Sequence, residues 1–356
     1  MNTSDAGRQR NGAERQGRDA LIGQGPAKRR GRRGRGERVM VPEAEFTSYY
    51  GKPVLNPPTW KPLDIAGYFF LGGLAGAGSV FAAGAQLTGR PRTARALKIS
   101  SLVAIAGSTA ALVHDLGRPT RFANMLRVLK PTSPMSVGSW LLAAYGPAAG
   151  AAAALDVTGL FPRLGHVATA GAAVLGPAVA SYTAVLAADT AVPAWHGGYR
   201  EMPFVFVGSA AAAASGMALV ASPIAENHPA RSGAIFGAAL ELAAAKAMEH
   251  RLGLIGETYR KGKAGRLIRT SEALTVAGAL GAALLGGRSR TAAVIGGAAL
   301  LTASACTRFG VFDAGMRSAK DPKYTVVPQR RRLEARAEAA TGEERHQLGP
   351  SGGRTS

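Results

Sequence analysis

A long apolar run in the first third of the chain limits its fold more than any other feature. The run, residues 65–87, contains no charged residue, and a helix needs only about 20 residues to cross a bilayer. Gly72 and Gly76 form a small-residue face on which another helix can pack closely. Asp64 and Tyr68 are polar groups in the first turn of this run, where apolar side chains would cost less free energy in a membrane. The run therefore predicts a membrane helix within a bundle, with a polar feature near one end.

Eight apolar segments follow one another along the chain. Most are rich in Ala and Gly rather than Leu and Ile, so their backbones can approach closely. A soluble helical protein would carry a charge at every third or fourth position, and several segments do not. The sequence therefore predicts an all-α polytopic membrane protein, with eight transmembrane helices in a domain of residues 64–317. The segments are roughly 64–87, 97–114, 136–157, 164–188, 203–222, 230–250, 267–286 and 291–312.

Polar sequence flanks this membrane domain on both sides. Residues 1–40 are rich in Arg and Gly, and residues 318–356 are highly charged, so both are predicted to be disordered basic tails. Residues 41–63 combine aromatic residues with prolines. That combination indicates an extended segment lying at the membrane interface or against a partner.

The charge balance predicts the orientation of the chain. There are 43 Lys and Arg against 22 Asp and Glu, but 13 of the basic residues lie in residues 1–63 and 9 in residues 313–356. We therefore expect the tails to contact anionic lipid and not nucleic acid. Eight crossings place both tails on one side, and the positive-inside rule assigns that side to the cytoplasm of a cell membrane. The basic residues of the loops alone barely discriminate between the two sides of the membrane.

The sequence offers little for a resident metal or haem. Cys306 is the only cysteine, so the chain has too few thiols for an internal disulfide or an iron–sulfur cluster. A haem would need two histidines on facing helices at similar depth, and only His114 and His250 end segments on the same side. We therefore expect no metal site, haem or iron–sulfur cluster on this chain.

Polar side chains collect at the ends of the segments that face the tails. Polar groups inside a bilayer are costly unless they are paired or line a wet cavity. Their asymmetric distribution therefore predicts a site reached from the tail side. Asp64 and Tyr68 begin the first segment, His114 and Asp115 end the second, Tyr182 and Asp189 end the fourth, and Glu241 lies within the sixth.

These residue types suit quinone chemistry. Tyrosine, histidine and carboxylate groups can hydrogen-bond the two carbonyl oxygens of a quinone and exchange the two protons that accompany its two electrons. The candidates are Tyr68, His114 and Asp115 as catalytic residues, Tyr68, Phe69, His114 and Tyr182 as quinone contacts, and Asp115, Glu241 and Asp189 as a proton path.

Each assignment has a simpler alternative. Tyr68 is also consistent with an interfacial aromatic anchor, and the neighbours His114 and Asp115 with a helix cap. Tyr182 could bond a neighbouring backbone carbonyl. Glu241 is as consistent with a pair to another helix as with a proton path.

Two stretches of the chain resemble the NrfD family of polysulfide-reductase-type membrane subunits. They are YYGKPVLNPPTWKPLDIAGYFFLGGLAGAG at residues 49–78 and VHDLGRPTRFANMLRVLKPTSPMSVGSWLL at residues 113–142. The second is the more specific, because Asp-Leu-Gly-Arg-Pro leads into an amphipathic connection and Ser-Pro-Met-Ser-Val-Gly precedes the next helix. The likeness covers roughly residues 45–317 and is strongest in the first four segments.

The resemblance implies eight helices built as two four-helix bundles, without a cofactor of their own. It also implies an anchor for an iron–sulfur subunit that accompanies a molybdopterin subunit, as in formate dehydrogenase or polysulfide reductase assemblies. Such an anchor is a subunit of the enzyme rather than a stand-alone catalyst. It would exchange electrons with quinone or menaquinone between the first helices, on the face that meets the iron–sulfur partner.

The resemblance also concerns single residues. Tyr68 stands where the polysulfide reductase branch has a quinone-contacting histidine, which keeps a hydrogen-bond donor but loses a group that titrates near neutrality. Ile65 stands where that branch has an asparagine. Tyr182 is the best match to that branch's tyrosine on the fourth helix.

Two other functions stay open from sequence. One is a transporter or proton-conducting subunit without quinone chemistry, which broken helices would favour; Pro147 and Pro177 lie within apolar segments. The other is a purely structural anchor. In either case the connection at residues 115–135 predicts an amphipathic helix in the interface plane, with its basic side toward lipid or an acidic partner.

Overall fold

The structure is a computed structural model that describes residues 53–118 and 120–347, and its regular elements there are all helices. The N-terminal tail and residues 41–52 of the interfacial segment lie outside this part of the chain. The α-helices are α1 (Pro62–Leu87), α2 (Pro91–Asp115), α3 (Thr120–Met125), α4 (Pro134–Thr158), α5 (Pro162–Ala188), α6 (Pro193–Gly197), α7 (Met202–Ala221), α8 (His228–Leu252), α9 (Glu257–Arg260), α10 (Gly262–Leu285), α11 (Arg290–Lys320) and α12 (Lys323–Gln347).

Proline marks the start of most of the long helices. It occupies the first or second position of α1, α2, α4, α5, α7 and α8. The missing N–H of proline costs nothing there, because the first amides of a helix have no intrahelical acceptor. At the other end of α4, Gly159 adopts a left-handed conformation with φ 71°, which ends the helix without a Cβ clash.

Seven helices of the described ranges are long and apolar enough to cross a membrane. They are α1, α2, α4, α5, α7, α10 and α11. The chain is thus a multi-pass, all-helical membrane protein. The sequence predicted eight spans, and the remaining segment corresponds to α8, which does not reach the same hydropathy. Its charged residues, including Glu241, Lys246 and Glu249, account for the difference.

Helix α8 nevertheless runs the full height of the protein. At its start, the Asn227 side chain donates to the carbonyl of Gly286 at the end of α10, at 2.8 Å. At its end, Arg251 donates to Glu201, which precedes α7, at 2.6 Å. We call the end that contains Arg251 and Asp64 the Asp64 end, and the opposite one the Asp156 end.

The long helices pack in two groups. In the first group, α1 packs against α2 and α5. Helix α5 also packs against α4, and α2 contacts α4. Helices α7, α8, α10 and α11 pack in the same cyclic manner. Helix α1 joins the groups by contacting α7 and α11.

Glycines allow the closest of these crossings. A Cβ added to Gly76 of α1 would overlap the carbonyl oxygen of Gly176 on α5 and lie 3.0 Å from the amide nitrogen of Ala180. The two backbones are therefore in direct contact, as the small-residue face of α1 predicts.

The C-terminal region departs from the expected disordered tail. Helix α12 continues to Gln347, while residues 348–356 lie outside the described part. The residues of α12 are rich in Ala, Glu, Gln and Arg, which are strong helix formers. A polar composition excludes membrane burial of this segment but not helix formation.

Two further details differ from the sequence analysis. In its described residues, the connection after α2 contains the six-residue helix α3 rather than an extended amphipathic helix. Helices α4 and α5 continue through Pro147 and Pro177 without a break, so neither proline interrupts its helix.

The α1–α5 crossing can be tested with paired glycine substitutions. Gly76→Ala should lower the thermal unfolding midpoint in detergent, because overpacking costs about 1–3 kcal/mol. Gly84→Ala is the matched control, since an added Cβ there meets nothing within 4 Å and alanine favours the helix. Equal midpoints for the two variants would contradict a backbone contact at this crossing.

Candidate functional site

An ionic cluster closes the Asp64 end between α1 and α2. The Nδ1 atom of His114 lies 2.7 Å from the Oδ2 atom of Asp64, and Lys61 Nζ lies 3.9 Å from the same oxygen. The Asp64 side chain is buried, whereas that of His114 is 68% exposed. This pair therefore connects the interior of the bundle to the surface.

Asp115 performs the capping role that the sequence left open. Its Oδ1 accepts a hydrogen bond from the backbone N–H of Lys61, just before α1, at 3.0 Å. The half-buried Asp115 carboxylate thus joins the end of α2 to the start of α1.

Two tyrosines face each other beneath this cluster. The hydroxyls of Tyr68 on α1 and Tyr182 on α5 are within interaction range of each other. Tyr68 is 1% exposed, and Tyr182 is half-buried. A Cβ added to Gly138 on α4 would overlap the Tyr182 ring. The glycine of the Ser-Pro-Met-Ser-Val-Gly stretch therefore provides the space that the Tyr182 ring occupies.

Phe69 points away from this pair toward the second group of helices. Its ring is fully buried and packs edge-on against Phe206 of α7, with centroids 5.7 Å apart. Phe69 also contacts the neighbouring Tyr68 ring, at 5.7 Å between centroids. It therefore supports the tyrosine from the interior side.

Glu241 lies inside the second group of helices, away from the tyrosines. It is 3% exposed, and its Oε1 accepts a hydrogen bond from Thr307 on α11 at 2.6 Å. Thr307 in turn lies 2.5 Å from the Ser271 hydroxyl of α10. The Oε2 atom has no hydrogen-bond partner among the described residues.

Arg308 is a buried cation that the sequence analysis missed. It is fully buried, donates from Nη2 to the carbonyl of Phe206 at 2.7 Å, and stacks over the Phe206 ring at 3.8 Å. Its Nε and Nη1 atoms have no hydrogen-bond partner in the part of the chain described. Glu241 is its electrostatic partner. The available signal was a charged residue within an apolar segment, which is rare without a function.

A narrow crevice in this second group reaches Glu241. It encloses about 400 Å³, including space open to the outside. Glu249 and Glu272 line it as well, and Lys246 lies between them, at 3.9 Å and 2.5 Å respectively. The crevice thus connects buried and partly exposed carboxylates.

Helix α6 closes the remainder of the Asp64 end. Trp195 is fully buried, stacks on Trp60 at 5.5 Å, and donates to the carbonyl of Val311 at 2.8 Å. Nearby, the hydrogen bond from Arg251 lowers the pKa of the Glu201 carboxyl from its usual value. These contacts tie the segment before α1 to α6, α8 and α11.

The structure therefore divides the predicted site residues. Tyr68, His114, Asp115 and Tyr182 share the Asp64 end of the first group of helices. Glu241 belongs to the second group, and Asp189 is exposed at the end of α5. Arg308 lies at the boundary between the groups, because its side chain approaches Gly73 of α1.

The sequence of this region matches a known family. Residues 55–244, just over half of the chain, match the family described as polysulphide reductase, NrfD. The match extends from the segment before α1 into α8. It includes the predicted site residues Asp64, Tyr68, His114, Asp115, Tyr182 and Glu241. No curated protein matches the chain.

The charge pair inside the second group makes a stability prediction. Glu241→Leu should destabilise the protein by about 1–3 kcal/mol, because it removes the acceptor of the buried Thr307 hydrogen bond and the negative charge that acts on the Arg308 cation. The double variant Glu241→Leu with Arg308→Met should recover much of that loss. Thermal unfolding in detergent would measure both, with Glu334→Leu on the exposed face of α12 as control. A double variant no more stable than the single one would contradict the pairing.

Proposed function

We infer that this chain, which belongs to the NrfD polysulphide reductase family, is the quinone-reactive membrane subunit of a multi-subunit oxidoreductase. The family generally supplies such subunits. The observation that carries the inference is the Tyr68–Tyr182 pair beneath the ionic cluster of Asp64, His114 and Asp115. It combines hydroxyl donors with a route to the surface.

We propose a division of labour within this site. The Tyr68 and Tyr182 hydroxyls hydrogen-bond the quinone carbonyl oxygens and orient the ring. Reduction to quinol takes two electrons from the partner and two protons, and a tyrosine hydroxyl is a poor proton source because its ordinary pKa is about 10. The protons therefore arrive through His114 and Asp64, which are 2.7 Å apart, with Asp115 beside them.

The quinone ring enters the site from the side on which Tyr182 lies. Tyr68 is almost completely enclosed, whereas Tyr182 is half-buried between α4 and α5. Movement of the Tyr182 ring would open Tyr68 to an apolar head group from the lipid phase. Phe69 keeps the inner wall of the site rigid through its contact with Phe206.

The remaining acidic residues extend the proton path. Asp115 and the exposed Asp189 lie at the Asp64 end, where they exchange protons with water. Glu241 lies deeper and lines the crevice, and its Oε2 atom has no hydrogen-bond partner among the described residues. The Arg308 side chain, at the boundary between the helix groups, lies within electrostatic reach of Glu241.

We further propose eight membrane crossings, arranged as two four-helix bundles, with both termini in the cytoplasm. The end-to-end course of α8 supports the eighth crossing, and the cyclic packing of each helix group supports the bundles.

Exposed basic residues near α12 and α9, such as Arg260 and Arg331, line a groove at the Asp64 end. The partners are an iron–sulfur subunit and a molybdopterin subunit that dock there, and menaquinone or another quinone is the exchangeable substrate. The iron–sulfur clusters belong to the partner subunit, and no haem or iron–sulfur cluster is proposed for this chain.

The alternative is a transporter without quinone chemistry. Discontinuous helices near the middle of the membrane are typical of such proteins, but α4 and α5 are continuous through their prolines. The quinone function is therefore favoured.

Quinone binding to the purified full-length chain would test the site. A short-chain naphthoquinone should bind about three- to tenfold more weakly to Tyr68→Phe and to Tyr182→Phe, since each loses a hydrogen bond with a net contribution of about 0.5–1.5 kcal/mol. Tyr199→Phe, at an exposed tyrosine, should bind normally. Calorimetry or quenching of tryptophan fluorescence would give the affinities. Unchanged affinity in both site variants would remove these tyrosines from the quinone site.

A biotin ligase fused after Ser356 would test partner and orientation together. The ligase needs ATP, so it should label proteins only if the C-terminus lies in the cytoplasm. We expect an iron–sulfur protein and a molybdopterin protein among the labelled neighbours, identified by mass spectrometry and absent with an unfused ligase. Loss of labelling with a stable fusion would contradict the orientation, and labelling without such proteins would contradict the partners.

A further inference from the structure

A wide groove lies at the Asp64 end between α6, the end of α8 and the start of α12. It encloses about 1270 Å³, including space open to the outside. Pro193 and His196 of α6, Leu252 at the end of α8 and Tyr324 of α12 are among the residues that line it. Concave surfaces with apolar and aromatic linings of this kind bind apolar groups. The groove is therefore suited to aromatic side chains of an occupant.

The part of the groove that α12 contributes is basic. Arg331 and Arg332 line it, and both residues are exposed. No acidic side chain lines the groove within the described ranges. Because charge complementarity favours one occupant over another, the groove selects a segment that carries carboxylates beside its aromatic groups.

Helix α12 is fixed to the rest of the protein near its first residues. Tyr324 is 3% exposed, and Lys323 Nζ lies 3.3 Å from a carboxylate oxygen of Glu257. Residues 331–336, in contrast, are all exposed. The described part of the chain therefore provides no element that covers α12 where its two arginines line the groove.

The chain itself runs into this groove just before α1. Trp60 stacks on Trp195 of α6, with ring centroids 5.5 Å apart. Further from α1, the half-buried Leu55 lines the groove. The described part of the chain begins at Pro53, two residues before Leu55. The residues that precede Pro53 consequently continue from the groove.

These preceding residues have the composition that the groove selects. Residues 41–51, VPEAEFTSYYG, contain Glu43 and Glu45 together with Phe46, Tyr49 and Tyr50. They contain no basic residue, whereas residues 1–40 are rich in Arg. This stretch is thus both acidic and aromatic, and it follows a strongly basic tail.

We propose that residues 41–51 bind in this groove of their own chain and hold α12 against the Asp64 end. The aromatic side chains pack on the apolar lining, and Glu43 and Glu45 pair with Arg331 and Arg332. Residues two apart in an extended chain project to the same side, so both carboxylates can face α12. Glu45 is ten residues from Leu55, a separation that an extended chain covers with about 33 Å.

A segment of the same chain has an advantage over a separate molecule as the occupant. The short connection to Leu55 gives it an effective concentration on the order of millimolar. A separate partner would first lose its translational and rotational freedom. Exposed ion pairs, which are individually weak, therefore suffice to hold the tethered segment.

The bound segment would also border the surface proposed for the partner subunits. Arg331 lines both this groove and the neighbouring one beside Arg260. Binding of residues 41–51 depends on neither quinone nor a partner. It can therefore be measured on the purified full-length chain.

Photocrosslinking of the full-length chain in detergent tests the occupant. Phe46→p-benzoylphenylalanine should crosslink to residues 252–255 or 324–332 on irradiation, as read by mass spectrometry of the digested protein. In a mixture of ¹⁵N-labelled and unlabelled protein, these crosslinks should join residues of one copy. The same photoreactive residue at Ala13 is the control and should yield at least fivefold less of them.

Three outcomes of this experiment would overturn the proposal. One is the absence of crosslinks from position 46 to the groove. Another is that these crosslinks join labelled to unlabelled chains, which would assign the groove to a second copy. The third is that irradiation of native membranes captures only another protein at position 46, which would assign the groove to a partner.

Charge reversal tests the ion pairs with a different measurement. Chymotrypsin cleaves after aromatic residues, so its rate within residues 41–51 reports how often the segment leaves the groove. Arg331→Glu combined with Arg332→Glu should raise that rate at least threefold. Lys263→Glu is the matched control, because Lys263 is an exposed cation that lines a different groove at the same end.

A compensating reversal completes this experiment. Adding Glu43→Arg and Glu45→Arg to the arginine variant should restore the slow cleavage, because the pairs form again with opposite polarity. Each rate is divided by that of a synthetic peptide with the same residues 41–52, which removes effects on chymotrypsin itself. Equal rates in the arginine variant and the wild type, or no recovery in the combined variant, would contradict the proposed pairing.

Discussion

The close approach of α1 to its neighbours is the constraint on which the rest of the structure depends. Its central face is glycine, and at Gly76 its backbone touches that of α5. Helix α1 consequently reaches α2, α5, α7 and α11 at once. On the same helix, Ser79 meets the Tyr145 hydroxyl of α4 at 2.7 Å, and Asp64 meets His114 of α2 at 2.7 Å. Small residues therefore create the space in which polar groups on different helices pair.

The basic residues at the Asp156 end are explained by packing contacts rather than by the orientation of the chain in the membrane. Arg231 donates to the carbonyls of Ala282 and Ala283 at the end of α10, and Arg290 donates to those of Leu219 and Ser222 at the end of α7. Helix C-termini carry unpaired carbonyls that favour cations. These arginines serve the fold, which explains why the loop charges alone barely discriminated between the two sides of the membrane.

Each helix group contains its own buried charge system. Lys98 and Asp156 pair in the first group at 2.8 Å, whereas Glu241 and Arg308 interact in the second without a direct contact. An ionised group within a membrane is retained only when partners or water compensate it. The two systems are therefore the places where this protein departs furthest from a purely structural anchor.

The sequence by itself determined the helices and the chemical character of their ends. Apolar length, flanking proline and small-residue spacing are local properties, so the segments, the polar Asp64 end and the family were readable from the chain. Helix α12 and the charged helix α8 were harder to predict. Amino-acid composition distinguishes membrane-buried from water-exposed segments better than it distinguishes helix from coil. Contacts between distant residues were decided by packing alone: the cap that Asp115 provides for Lys61, the space that Gly138 leaves for Tyr182, and the burial of Arg308. Such contacts depend on helix rotation and crossing, which the periodicity of a single segment does not specify.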